Sequence, residues 1–129
     1  MQNKFLGTGQ RGFHPLRKMR VALSGARYAV LHDFAVAYKA VLSTLILLWC
    51  FWYRQWLDFN MVLLATGLML VAEMFNTTIE ALCDFLEPKK NEKIGIIKDI
   101  AAAAAGISIL IWWIIFLLEA VHVWQGIQG

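Results

Sequence analysis

Three long apolar runs limit what this chain can fold into. Phe34 to Tyr53 is interrupted only by Lys39, Trp56 to Ala72 only by Asp58, and Ile100 to Leu118 carries no charge at all. A helix needs about 20 apolar residues to cross the hydrocarbon core of a bilayer, and tilt or a short extension adjusts the fit. The whole chain is 60% hydrophobic and 16% charged, with a mean hydropathy of +0.59, too apolar for an ordinary soluble domain. The pattern predicts an all-α integral membrane protein. Its single domain covers residues 1–129, with transmembrane helices at about 34–53, 56–86 and 97–121.

The first 33 residues contain Lys4, Arg11, Arg17, Lys18, Arg20 and Arg27 and no apolar core of the kind a cleavable signal peptide needs. Residues 1–14 read as a flexible tail. Gly7, Gly9 and Gly12 match a G-x-G-x-x-G spacing there, but no strand precedes them in a βαβ unit, so they do not read as a phosphate cradle. From Pro15, a favourable first helical residue, Leu16, Met19, Leu23, Ala26 and Val30 recur at helical spacing. With Arg20 and Arg27 at the margin of that stripe, residues 15–32 read as an amphipathic helix on the membrane surface. The apolar spans that follow argue against nucleic acid as the partner of this basic segment.

Lys and Arg flank the spans unevenly. Only Arg54 lies between the first two, Lys89, Lys90, Lys93 and Lys98 lie between the second and third, and none follows the third. The positive-inside rule then puts the N-terminus and the second loop in the cytoplasm. Cys50 and Cys83 read as small packing residues.

The stretch "AEMFNTTIEALCDF", Ala72 to Phe85, sets Glu73, Asn76, Glu80 and Asp84 at the end of an apolar run. At 100° per residue, the last three lie at about 300°, 340° and 20° from Glu73, so all four share one helix face. Ionisable groups at membrane depth face a bundle interior, a cavity or a partner, and mark function. Carboxylates beside a lipid boundary suit a hard divalent cation held together with substrate phosphates, and a base that takes a proton from an attacking hydroxyl. Lys98 and Asp99 open the third span and supply a phosphate contact and a further acid. The alanines at Ala101 to Ala105 permit close helix packing there. A noncatalytic membrane protein using the same face to bind an ion is the competing reading, and it gives Lys98 nothing to do.

"EMFNTTIEALCDF" followed by "KDIAAAAAGI" resembles the prokaryotic diacylglycerol kinase family, which includes diacylglycerol kinases and undecaprenol kinases. The resemblance implies a homotrimeric helical bundle of three transmembrane helices and one surface helix per subunit, with active sites shared between subunits. It implies ATP as phosphoryl donor, Mg²⁺ as cofactor and a membrane lipid as acceptor, with no Walker A loop. Matched residue by residue, Glu73 falls on the general base, Asn76, Asp84, Lys98 and Asp99 on nucleotide-binding positions, and Glu80 on a metal ligand. The family includes kinases of both lipids, and diacylglycerol is the expected acceptor, with undecaprenol as the alternative. The roles of His32, Arg20 and Arg27 stay open.

The chain departs from the family where a glutamate usually supplies a further metal ligand. "LHDFAVAY" offers Asp33 instead, with the same charge on a side chain one methylene shorter. If Asp33 holds the metal, Asp33→Ala raises the Mg²⁺ concentration needed for half-maximal turnover, and Asp33→Glu keeps or improves activity. Mg²⁺ titrations of both variants that overlay the parent would remove Asp33 from the site.

Overall fold

Each helix begins and ends for a local reason. The computed structural model describes Leu6, Gly12 and residues 14–129, so the tail's Gly7 and Gly9 lie outside the described residues. Helix α1 spans Pro15–His32, α2 Phe34–Trp52, α3 Trp56–Leu86 and α4 Glu92–Gln128, with no strand among the described residues. Pro15 starts α1 with its φ already fixed. Asp33 is extended (φ −122°, ψ 105°) and alone separates α1 from α2, its N–H bonded to the Ala29 carbonyl.

The chain divides into two units, residues 1–34 and 35–129. Within the first, no residue of α1 is buried, and Leu16, Met19 and Leu23 of its apolar stripe are exposed.

In the second unit, α2 ends in a Schellman turn: the Gln55 N–H reaches the Cys50 carbonyl at 2.9 Å and the Arg54 N–H reaches that of Phe51 at 3.2 Å. Arg54 takes the left-handed position of this turn (φ 56°) that glycine usually fills. At the other end, Asn91 caps α4 by accepting hydrogen bonds from the N–H groups of Lys93 and Ile94.

Helices α2, α3 and α4 are long and apolar enough to cross a membrane. At 1.5 Å per residue, α2 measures about 28 Å, close to one hydrocarbon core, whereas α3 and α4 reach about 46 and 55 Å. The longer helices must therefore project beyond the apolar layer, and the projecting turns can carry charge.

The pairings along α3 and α4 run in opposite senses: Asp84 meets Lys98, Ala65 and Met69 pack with Trp112, and Asp58 meets His122. In α4, Ala101 and Ala105, four residues apart, are buried while Ala102 to Ala104 are exposed. Methyl side chains on that face let two backbones approach.

Trp112 anchors the middle of the unit. It is 1% exposed, its ring stacks on Phe116 at 5.0 Å between centroids, and its Nε1–H donates to Ser43 Oγ at 2.8 Å and Thr66 Oγ1 at 3.2 Å. One side chain of α4 is thus bonded to both α2 and α3. Lipid is as apolar as leucine, so packing and interhelical hydrogen bonds, rather than expulsion of water, hold such helices together. Trp112→Phe, which removes the donor and keeps an aromatic ring, should cost about 1 kcal/mol. Trp112→Ala, which also opens a cavity, should cost about 3 kcal/mol. Unfolding in mixed micelles measures both, and a Trp112→Phe variant as stable as the parent would show that the hydrogen bonds contribute nothing.

Candidate functional site

Lys39 is the residue the apolar runs conceal. It stands within the first span, is 3% exposed, and donates from Nζ to Glu73 Oε1 at 2.8 Å, with Glu73 itself 8% exposed. A buried ammonium without a partner would be very costly, as would a buried carboxylate. Pairing them lets each enter the helix bundle, and it joins α2 to α3. The second carboxylate oxygen, Glu73 Oε2, is buried and has no hydrogen-bond partner among the described residues. One oxygen of Glu73 is therefore held, and the other is an acceptor left available.

The remaining acidic residues continue along α3 away from the apolar layer. Asn76 Nδ2 donates to Glu80 Oε1 at 3.4 Å, and Asn76 Oδ1 is a second buried oxygen without a partner among the described residues. One turn further, Asp84 Oδ1 accepts from Lys98 Nζ at 2.8 Å, with side-chain exposures of 67% and 35%. Exposed pairs of this kind contribute roughly 0–1 kcal/mol and open readily. Asp99, next to Lys98 on α4, is exposed. An apolar groove of about 440 Å³ runs between α3 and α4, lined by Leu68, Ala72, Phe75, Asn76, Ala104 and Ile107 among others. Asn76 thus belongs both to the polar row and to an apolar groove.

Within this row Glu73, Asn76 and Glu80 lie close together, and Asp84 meets Lys98 across the α3–α4 pair. Asp33 lies at the junction of α1 and α2, outside the unit that holds the other residues. The carboxylates of Glu73, Glu80, Asp84 and Asp99 do not converge as a three-ligand cluster among the described residues. The donor set nonetheless fits a hard divalent cation, because Glu80 and the unpartnered Asn76 Oδ1 are neighbouring oxygen ligands of the kind such an ion takes. Two further polar features escape a reading of the sequence as spans: Lys39, and a group at the opposite end formed by Asp58, Glu119 and His122. The available signal is a charge at membrane depth, which requires a partner.

The comparison with curated proteins gives no match. A family model described as prokaryotic diacylglycerol kinase matches residues 20–119, from within α1 through most of α4, including Glu73, Glu80 and Lys98. The chain belongs to the prokaryotic diacylglycerol kinase family, a family of lipid kinases of the diacylglycerol and undecaprenol kinase type.

Proposed function

We propose that the protein transfers the γ-phosphoryl group of ATP to the primary hydroxyl of a membrane lipid, with diacylglycerol as the acceptor and phosphatidic acid as the product. The observation that carries this reading is Glu73: a buried carboxylate, fixed through one oxygen by Lys39, whose other oxygen has no partner. A lipid hydroxyl donating to Oε2 gives up its proton to Glu73 as its oxygen attacks the γ-phosphorus. The bond from that phosphorus to the β–γ bridging oxygen breaks and ADP leaves. Once protonated, Glu73 no longer balances the Lys39 ammonium. That uncompensated charge favours the anionic phosphoryl group beside it.

Lys98 would leave Asp84 to contact the nucleotide phosphates, with Asn76, Asp84 and Asp99 completing the nucleotide site. Glu80 would hold Mg²⁺. Bound there, Mg²⁺ would supply charge neutralisation at the phosphate oxygens. The apolar groove beside Asn76 gives a lipid chain a place to lie next to the carboxylates. A homotrimer with sites shared between neighbours is what the family resemblance implies. The Lys-rich second loop supports placing this end in the cytoplasm of a bacterium, with α1 on the membrane surface.

Radiolabelled ATP offered with diacylglycerol and undecaprenol in separate mixed-micelle assays tests the reading. Faster labelling of undecaprenol would reassign the acceptor, and labelling of neither would overturn the kinase reading. Glu73→Gln leaves Lys39 unbalanced and should lower stability, but the folded fraction should keep nucleotide binding while kcat falls by about 10²-fold or more, since an amide cannot take the proton. Parental turnover in that variant would exclude Glu73 as the base. Lys39→Met leaves Glu73 buried and unbalanced, and should cost about 3–5 kcal/mol. The double variant Lys39→Met/Glu73→Gln should recover most of that loss in micelle unfolding, and a double variant as unstable as the single would show that the ion pair is not the cause.

A further inference from the structure

At the end of the bundle remote from Glu73, three ligand-bearing side chains meet. Asp58 lies in the first turn of α3, and Glu119 and His122 lie in the last third of α4. His122 Nδ1 is 3.1 Å from Asp58 Oδ2 and 4.0 Å from Glu119 Oε2, and the three ligand atoms all fall within 4.8 Å of one another. Asp58 and Glu73 are 15 residues apart on one helix, or about 22 Å. The cluster is therefore separate from the kinase residues.

A simple His122–Asp58 ion pair accounts for only two of the three groups. The Glu119 side chain is 9% exposed, and its Oε2, directed at His122, is buried with no hydrogen-bond partner among the described residues. Such an oxygen loses its hydration and gains nothing in exchange. A cation between the three groups would satisfy Glu119 Oε2, Asp58 Oδ2 and His122 Nδ1 together.

The donor set selects the kind of cation. Mg²⁺ and Ca²⁺ prefer oxygen-only shells, whereas one imidazole nitrogen with two carboxylates suits Zn²⁺ and neighbouring transition metals. Glu119 and His122 form an E-x-x-H pair three residues apart on one helix, a spacing that directs both ligands to the same side. Asp58 comes from the adjacent helix. For zinc bonds of about 2.0–2.2 Å, tetrahedral ligands lie roughly 3.3–3.6 Å apart, a closing that side-chain rotations can supply. His122, with 56% of its side chain exposed, has room to rotate and opens a path for the ion.

The geometry points to a divalent transition-metal site, zinc by ligand preference, at which Asp58, Glu119 and His122 clasp the first turn of α3 to the last third of α4. Three protein ligands leave a fourth position for water.

The test uses the full chain in detergent micelles, stripped with a chelator and titrated with Zn²⁺ alone by calorimetry, with Co²⁺ absorption as a spectroscopic probe. The parent should bind Zn²⁺ at this site and gain in Tm with added metal. His122→Ala and Asp58→Asn should each weaken binding by at least about tenfold, abolish the Tm response and remove the Co²⁺ absorption of nitrogen-ligated metal. Glu87→Gln, just past the other end of α3, should retain all three signals. His122 is exposed, so its replacement leaves the fold intact and keeps the result interpretable even if Asp58→Asn unfolds. A parent whose Tm ignores Zn²⁺, or a His122→Ala variant that titrates like the parent, would overturn the site.

Discussion

The Lys39–Glu73 ion pair is the interaction on which the rest of the bundle depends. It sets the depth of the carboxylate row: Lys39 lies just over one turn into α2, a helix about as long as the hydrocarbon core is thick. Glu73 is therefore fixed near the boundary of the apolar layer, and each later turn of α3 lies further toward water. Glu80 and Asp84 follow at about 10 and 16 Å along the axis. The same pair decides which oxygen of Glu73 is occupied and which is available, so one buried contact sets both the level of the site and the orientation of its central carboxylate.

Below that pair, polar contacts recur at intervals through an otherwise apolar assembly. Trp112 joins all three long helices in the middle, through Ser43 and Thr66, and Asp58 meets His122 at the far end. Apolar side chains cannot fix the register of helices in lipid, because a slipped arrangement buries nearly the same surface. A displaced hydrogen-bond donor or charge has no such freedom. Ala101 and Ala105 complete the effect by permitting the approach that short polar contacts require.

The helical class and the three spans were legible because an apolar run of that length has no other stable conformation in lipid. Pro15 and the Asp33 break were local signals of the kind a sequence displays. What spacing could not supply was partnership. Glu73, Asn76, Glu80 and Asp84 share one face by helical geometry, yet their partners differ: Glu73 turns to Lys39, Asn76 bonds Glu80, and Asp84 reaches Lys98 on α4. Lys39 and Glu73 are 34 residues apart, and nothing local to either predicts the other. The third apolar run ends at Leu118, but α4 continues to Gln128, and beyond that run His122 meets Asp58 of α3.

The two lysine ion pairs differ in one further respect: their response to salt. Lys98 and Asp84 meet in water, where at physiological ionic strength a charge is screened over about 8 Å and mobile ions compete for each partner. Lys39 and Glu73 are out of reach of those ions. Raising ionic strength therefore loosens the loop end of α3 and α4 while leaving the deeper pair as it was. The protein thus has an outer end whose cohesion follows the composition of the surrounding solution, attached to an inner frame that is indifferent to it.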